Sequence, residues 1–237
     1  CRGNMRKDRV LVTGGAGFVG SHLTEQLVRI GARATVLDNL ATGCKSNLKK
    51  VVDEITFVRG DIRNRKLVTR IVKGKEVIFH LAANASVPES FHNPRYDLEV
   101  NGMATLNLLL AAKDARVSRI VYASTAAVYG NPKYTPIDEI HPTVPISPYG
   151  ASKLYGERMG SSLAEPFSTA FVSLRLFNIY GPRQRKYVMY DFLRKMRSNR
   201  NLLTVLGSGK QIRDYCYVLD AVQAFILVAR KGEGVYN

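Results

Sequence analysis

A turn of three glycines constrains the fold of this chain more than any other feature. Gly14, Gly17 and Gly20 have the spacing G-x-x-G-x-x-G and lie between an apolar run at 9–13 and an amphipathic pattern at 18–30. The run predicts a short buried strand, and the pattern predicts a helix because its apolar residues recur every three or four positions. Glycines let the backbone turn tightly, approach a pyrophosphate and pack a helix close to its strand. The order of strand, turn and helix therefore predicts a dinucleotide site, with the phosphates at the N-terminus of the helix.

Strands and helices alternate along the rest of the chain. Further apolar runs at 55–58, 77–81, 119–123 and 171–176 separate segments with helical spacing. This alternation predicts an α/β fold with a doubly wound, mainly parallel sheet, which is the Rossmann fold. The 237 residues are enough for one large domain or for one and a half.

A carboxylate ends the second predicted strand, about 20 residues after the glycines. At that position Asp38 can accept hydrogen bonds from the adenosine ribose and would repel a 2′-phosphate, so NAD is favoured over NADP. Arg33 precedes this strand and is therefore a poor candidate for binding such a phosphate. The alternative is that Asp38 only forms the turn before Asn39.

Tyr149 and Lys153 form a candidate pair for proton transfer. They are four residues apart in a helical pattern and so lie on one face of it. A phenol has a pKa of about 10, and a nearby ammonium should lower that pKa until the phenolate can remove a proton from a hydroxyl group. Taken alone, such a pair more often marks a solvated helix face. The dinucleotide site predicted upstream favours the proton-transfer interpretation of this pair.

The chain carries a high net charge of +16, with Lys and Arg dense at 45–50, 59–75 and 183–200. Such a surface attracts anions, including nucleic acid. However, these residues alternate with apolar helix positions and lack interleaved stacking aromatics. Solvated helix faces explain most of them, and nucleic-acid binding is not expected. The basic residues at 183–186 are an exception, because they follow a Gly-Pro turn that we expect at the mouth of the cleft.

Metal-binding and targeting signals are not evident. Cys1, Cys44 and Cys216 are isolated and odd in number, without metal-ligand spacing. The apolar stretches are too short to span a bilayer, and the first strand begins too early to leave room for a signal segment. We therefore expect a reduced, cytoplasmic protein without a metal site, and we expect residues 1–4 to be an upstream remnant.

The order of the motifs resembles that of a known family. Nine segments follow one another over nearly the whole chain: TGGAGFVGSHL, VLDNL, GDIRN, FHLAA, VNGMATLNLL, STAAVYG, SPYGASKLYGE, LRLFNIYGPRQ and GSGKQIRDYCYVLDAV. In this order they are similar to the extended short-chain dehydrogenases/reductases of the NAD-dependent epimerase/dehydratase family, and most of all to its UDP-glucose 4-epimerases. Members of the family continue well past the VYN at which this chain stops, so we expect its substrate-binding part to be truncated.

The resemblance implies a domain organisation and partners. It implies an NAD-binding Rossmann domain at 5–176 and a partial substrate-binding region at 177–237, of which about 215–231 would return to the Rossmann domain. It also implies a UDP-sugar substrate and a homodimer that buries helices at about 95–115 and 149–164. The first of these helices contains LNLLLAA, which is more apolar than burial against a single sheet requires and agrees with a dimer; the alternative is that this segment is plain core.

Matching positions imply roles for individual residues. Thr125, Tyr149 and Lys153 would be catalytic, with the Thr125 hydroxyl bonding both the substrate oxygen and the phenol. Asn178 and Arg213, together with Thr125 and Tyr149, would bind the substrate, because a guanidinium pairs well with phosphate oxygens. The resemblance implies NAD contacts at Gly14, Gly17, Phe18, Val19, Gly20, Asp38, Asn39, Gly43, Asp61, Ile62, Leu81, Ala82, Ala83, Asn101, Ser124, Tyr149, Lys153 and Phe177.

Several of these residues have structural alternatives. Asp61 could accept from the adenine amine, or it could cap a helix at 64–71. Asn101 could brace the loops around the nicotinamide, or it could be only structural. Thr125 could bond its own backbone, and Arg213 could pair with the aspartate that follows it.

Ala126 and Ala127 narrow the reaction that the resemblance implies. Relatives that dehydrate sugar nucleotides carry Asp-Glu at these positions, because removing water across C5 and C6 needs a base and an acid. Methyl groups transfer no protons. We therefore predict reversible oxidation of C4 by NAD, which interconverts UDP-glucose and UDP-galactose through a 4-keto sugar. Another UDP-sugar epimerase, a UDP-glucuronate decarboxylase and, more distantly, a non-catalytic NAD- or nucleic-acid-binding protein stay open as alternatives.

Overall fold

The computed structural model describes residues 5–237, so Cys1 and the remnant expected at 1–4 lie outside the described residues. The strands of the described part are β1 Arg9–Thr13, β2 Arg33–Asp38, β3 Thr56–Arg59, β4 Val77–His80, β5 Arg119–Thr125, β6 Ala170–Leu176, β7 Asn178–Tyr180, β8 Tyr215–Tyr217 and β9 Gly234–Tyr236. Seven of them form one parallel sheet in the order β3-β2-β1-β4-β5-β6-β9. The other two, β7 and β8, form a small second sheet.

Helices follow most of the strands. The α-helices of the described part are α1 Phe18–Arg29, α2 Arg65–Val72, α3 Val87–His92, α4 Pro94–Leu98, α5 Ala104–Asp114, α6 Pro148–Ala164, α7 Tyr187–Ser198 and α8 Val218–Lys231. A π-helical turn joins α4 to α5, and short 3-10 turns lie at Lys45–Leu48, Val52–Glu54 and Ala126–Val128. Within residues 5–237, each helix is too short or too polar to traverse a lipid bilayer.

Two apolar layers cover the two faces of the main sheet. On one face Val12 packs with Leu23 of α1 and Phe225 of α8. On the other face Leu11 packs in a cluster that includes Leu108 of α5 and further side chains of α2 and α6. Successive residues of β1 thus point to opposite faces, and both faces are buried, as an all-parallel sheet requires. The predicted doubly wound parallel sheet is confirmed.

The order of the strands reverses beside β1. Thr13 at the end of β1 is level with Leu37 of β2 on one side and with His80 of β4 on the other. The loops after β1 and β4 diverge to opposite faces at this point, which opens a crevice at the carboxyl edge of the sheet. The glycine turn follows Thr13 and therefore lies at the crevice.

The C-terminal segment returns to the main sheet. Helix α8 joins the apolar cluster that contains α1, and Val172, Ser173 and Leu174 of β6 pair with β9. Strand β9 lies beyond the segment expected to return, and its three residues are too few to establish a periodic pattern in the sequence. The division of the chain at residue 176 stays a prediction.

Candidate active site

The glycine turn forms a cradle that fits a pyrophosphate. Gly14 has a φ of 71°, and a Cβ there would lie 2.8 Å from the backbone nitrogen of Ala82 in the loop after β4. A Cβ on Gly20 would overlap the carbonyl oxygen of Gly14. No side chain caps α1, and its first turn carries no acidic residue. The free N–H groups and the positive end of the helix dipole are therefore available to an anion.

Asp38 is buried at the end of β2, with part of its hydrogen-bonding capacity in use. Its Oδ2 accepts from the backbone nitrogen of Ala16 at 2.9 Å, and its Oδ1 accepts from that of Leu40 at 2.8 Å. A Cβ on Gly43 would lie 3.1 Å from Oδ1, so the following loop passes close by. A carboxylate offers about four acceptor positions, and those left over fit ribose hydroxyls. The turn-forming and ribose-binding interpretations of Asp38 are therefore compatible.

Asp61 follows β3 and is held by a neighbouring arginine. Arg63 donates from Nε at 3.0 Å and from Nη2 at 2.9 Å, and Asn39 donates from Nδ2 at 3.2 Å. The hydrogen bonds from Arg63 lower the pKa of the Asp61 carboxyl to about 2. Asn64 caps α2, since its side chain accepts from the backbone nitrogen of Leu67 at 3.1 Å. The capping alternative for Asp61 is wrong, and its contact with adenine stays a prediction.

A buried histidine beside the crevice was not anticipated. His80 Nδ1 lies 2.7 Å from Thr13 Oγ1, and its Nε2 lies 2.9 Å from Thr105 Oγ1. Burial, reinforced by the charge of Lys153, lowers the pKa of His80 to about 3, so the ring is neutral. Thr13 Oγ1 also accepts from the backbone nitrogen of Ala82 at 3.2 Å. The chain of contacts thus holds the loop after β4 against the end of β1.

Asn101 lies in the π-helical turn and braces the same loop. Its Oδ1 accepts from the backbone nitrogen of Asn84 at 2.8 Å, and its Nδ2 donates to Asp97 at 3.1 Å and to Ser152 at 3.2 Å. Ser152 donates to Asp97 at 2.5 Å. Burial raises the pKa of Asp97 against the effect of these hydrogen bonds. The bracing role expected of Asn101 has a structural basis, and its relation to the nicotinamide stays a prediction.

Thr125 and Tyr149 meet at the carboxyl end of β5. The Thr125 hydroxyl accepts from the backbone nitrogen of Ala127 at 3.2 Å. The structural alternative for Thr125 is therefore present, and its catalytic contacts stay predictions. Burial raises the pKa of Tyr149 above its usual range, while the nearby Thr125 hydroxyl opposes that rise and the nearby Tyr187 adds to it.

The expected lowering of the Tyr149 pKa by Lys153 is not seen. Lys153 is 2% exposed, and its Nζ lies 4.1 Å from the centre of the Tyr122 ring. Burial lowers the pKa of Lys153 to about 7, against the opposing charges of Asp97 and Glu157. The ammonium is therefore only partly formed at neutral pH, because burial penalises its charge.

We expect a Lys153→Met variant to lose part of the pH dependence of stability. The folded protein releases the Lys153 proton near pH 7, whereas the unfolded chain holds it up to about 10.5. Between these values the unfolded state binds more protons, so the free energy of unfolding rises with pH by at most about 1.4 kcal/mol per unit. Methionine fills similar space and does not titrate in this window. Urea unfolding of the cofactor-free proteins across the window measures both slopes, and equal slopes would contradict the lowered pKa.

A buried ion pair beneath the site was also not anticipated. Glu157 and Arg175 side chains are 1% and 3% exposed and bond at 2.5 Å and 3.2 Å. Ser124 donates its hydroxyl to Glu157 at 2.8 Å, and Arg175 donates to the Tyr129 phenol at 2.8 Å. The network ties α6 to β5 and β6, and it occupies the Ser124 hydroxyl, whose cofactor contact stays a prediction. The spacing of Glu157, eight residues after Tyr149 on the same helix face, is the signal that could have indicated it.

Asn178 lies on the second sheet, and Arg213 lies two residues before its other strand. Asn178 begins β7, and its Nδ2 donates to the carbonyl oxygen of Asp214 just before β8 at 2.9 Å. Arg213 is exposed and donates to the carbonyl oxygen of Ile212, and the described residues contain no ion pair between Arg213 and Asp214. The pairing alternative for Arg213 is therefore wrong. Phe177 lies between β6 and β7, next to this sheet.

The carboxyl ends of neighbouring strands bring most of the predicted site residues together. Among residues 5–237, no group of three or more His, Cys, Asp or Glu side chains is placed to hold a metal ion. The predicted residues that follow or end β1 to β5 are Gly14, Gly17, Phe18, Val19, Gly20, Asp38, Asn39, Gly43, Asp61, Ile62, Leu81, Ala82, Ala83, Ser124 and Thr125.

The parallel sheet and the glycine cradle together define a Rossmann protein whose crevice fits NAD. The profile described as the NAD dependent epimerase/dehydratase family matches residues 10–237. The chain belongs to this family.

Several relatives with known names are similar over most of this chain. The UDP-glucose 4-epimerase of Streptomyces lividans is 35% identical over 242 residues, which cover 95% of this chain and 73% of the relative. The solved structure of UDP-N-acetylglucosamine 4-epimerase from Methanobrevibacter ruminantium M1, in complex with UDP-N-acetylmuramic acid, has a TM-score of 0.92 at 34% identity and covers 98% of this chain and 76% of its own. The structure of dTDP-glucose 4,6-dehydratase from Streptomyces venezuelae, with NAD bound, has a TM-score of 0.90 at 33% identity and covers 96% and 74%. Because epimerases and a dehydratase are almost equally similar, the overall fold does not select the reaction.

Proposed function

We propose that the chain interconverts UDP-glucose and UDP-galactose by NAD-dependent epimerisation at C4. The observation that carries this proposal is the proximity of Thr125 and Tyr149 at the crevice, with only Ala126 and Ala127 in the turn that directly follows the strand. The phenol and the hydroxyl can handle one proton on a substrate oxygen. The two methyl groups supply neither the acid nor the base that dehydration across C5 and C6 needs.

Each residue of the group has a distinct task in this proposal. Tyr149 removes the proton of the C4 hydroxyl and later returns it, and Thr125 orients the oxygen. NAD, when bound in the glycine cradle, would supply the hydride acceptor and donor for C4, so the residues of the crevice have only the proton to handle. Since burial keeps the phenol protonated, the ammonium form of Lys153 is needed to favour the phenolate. Asn178 and Arg213 hold the UDP while the 4-keto sugar turns over between the two transfers.

Product analysis with four sugar nucleotides tests this function. UDP-glucose, UDP-N-acetylglucosamine, UDP-glucuronate and dTDP-glucose are incubated separately with the protein and NAD, and the products are identified by NMR. We expect UDP-galactose from UDP-glucose and no 4-keto-6-deoxy sugar from dTDP-glucose. A pentose from UDP-glucuronate would support the decarboxylase instead. Bound NAD without any product would support a non-catalytic protein.

We also propose a homodimer located in the cytoplasm. Leu98 and Met103 are 47% and 45% exposed on the helical segment expected at the interface, and such apolar side chains favour burial against a second copy. Cys44 and Cys216 are both free thiols, which supports a reducing compartment.

A further inference from the structure

The segment 181–187, between β7 and α7, has an unusual backbone; we call it the strap. Arg183 and Tyr187 both have a φ of 71°, and Gly181 has a φ of 147°. Residues with a Cβ adopt the left-handed region rarely, and they keep it where surrounding contacts impose it. The contacts of the strap therefore identify what holds it in place.

The first half of the strap is attached to α1. His22 Nε2 lies 3.0 Å from the carbonyl oxygen of Pro182, and Arg183 Nη1 donates to Ser21 Oγ at 3.0 Å. Arg183 also forms an ion pair with Glu25 at 2.5 Å, and the two side chains are only 18% and 20% exposed. Helix α1 is the helix whose N-terminus forms the cradle for the pyrophosphate.

The second half of the strap reaches the loops after β2 and β4. The Cys44 Sγ lies 2.9 Å from Ser46 Oγ, and this contact lowers the pKa of the Cys44 thiol, with the charge of Arg185 lowering it further. The Arg185 guanidinium is therefore near Cys44, in the loop after β2. The Tyr187 phenol donates to the carbonyl oxygen of Ala85, in the loop after β4, at 2.7 Å.

The strap thus crosses the mouth of the crevice. Its three attachment points are the helix and the two loops that carry most of the predicted cofactor contacts. The Cys44 backbone nitrogen donates to the carbonyl oxygen of Ala16 in the glycine turn at 3.0 Å, so the residue that Arg185 approaches is itself attached to that turn. Arg185 is exposed, and none of the ion pairs among the described residues includes it.

We propose that the strap closes over bound NAD and that Arg185 pairs with the pyrophosphate. The identity of the dinucleotide rests on the proposed function. A pyrophosphate in the glycine cradle would have the N-terminus of α1 on one side and a guanidinium without a carboxylate partner on the other. The planar fork of arginine suits phosphate oxygens, and its charge adds to the helix dipole. NAD can then leave only after the contacts of Arg183 with Glu25 and of Tyr187 with Ala85 open.

The rate at which bound NADH leaves the protein tests the strap. The protein is loaded with NADH, mixed with excess NAD, and the loss of fluorescence of bound NADH is followed. We expect Arg185→Gln to release NADH about tenfold faster than the wild type, which corresponds to the loss of one charge-assisted hydrogen bond. Glu25→Gln should also accelerate release, because it removes the charge that holds Arg183. Arg185→Lys keeps the positive charge and should have a smaller effect.

Two controls separate this role from a general loss of stability. Arg197→Gln changes an exposed arginine of α7 outside the strap and should leave the release rate unchanged. The cofactor-free Arg185→Gln protein should unfold at the wild-type temperature, because Arg185 is exposed. A wild-type release rate in Arg185→Gln would overturn the proposal. A wild-type protein that holds NADH but converts no sugar would overturn the proposed function and leave the strap standing.

Discussion

Replacing Tyr149 by phenylalanine is expected to lower the rate of UDP-galactose conversion by about three orders of magnitude. A positioned acid–base group contributes about 10²–10⁴-fold to a rate, and Tyr149 is the only hydroxyl assigned to remove the substrate proton. Phenylalanine keeps the ring in the same half-buried space, so the loss reports on the hydroxyl group. Initial rates with a coupled assay for UDP-glucose measure the effect, and NAD should remain bound to the variant.

Tyr155 provides a matched control on the same helix. It is also half-buried, and it lies beside Gly102, away from the crevice. Tyr155→Phe should therefore keep most of the wild-type rate. If Tyr149→Phe retained more than a few per cent of that rate, Tyr149 would not be the base.

Replacing Glu157 alone by methionine is expected to destabilise the fold by about 3–5 kcal/mol. The change leaves the Arg175 guanidinium buried without its carboxylate, and a buried unpaired charge is costly. Arg175→Met should lower the free energy of unfolding by a similar amount, because it leaves the Glu157 carboxylate buried with only the Ser124 hydroxyl as a donor. Urea unfolding of the cofactor-free proteins measures each free energy of unfolding.

The double variant shows whether the loss of stability comes from a buried, unpaired charge or from lost packing. With methionine at both Glu157 and Arg175, no charge is left unpaired, so stability should recover most of the loss of either single variant. Losses that simply add in the double variant would show that the two side chains act independently. If each single variant had a free energy of unfolding within about 1 kcal/mol of the wild type, Glu157 and Arg175 would not be an ion pair shielded from water.

Local patterns were sufficient where neighbours in sequence are neighbours in space. The strand, the glycine turn and α1 follow from residues 9–30 alone, because backbone conformation and helix periodicity are short-range properties. The common face of Tyr149 and Lys153 follows in the same way, since Ser147 caps α6 and Tyr149 lies in its first turn. The parallel sheet follows from the alternation of such units.

The sequence did not reveal which polar groups become partners across the fold. His80 bonds Thr13 and Thr105, and Glu157 bonds Arg175, through contacts between residues that are 18 to 67 positions apart. From the sequence alone, many other polar residues were equally suitable partners for His80 and Glu157. Pairing across strands and helices is decided by the register of the sheet, which no local window contains.

The protonation state of the proton-transfer pair depended on tertiary structure most of all. Spacing alone placed Lys153 beside Tyr149 and predicted that its charge would lower the phenol's pKa. The fold buries Lys153 and half-buries Tyr149, and this removal from water raises the pKa of Tyr149 and lowers that of Lys153 to about 7. Desolvation depends on every atom packed around a group, whereas helix spacing depends on four residues. The residues and their helix face could therefore be inferred from the amino-acid sequence, while their charge, their buried partners and the strap over the crevice were decided by packing.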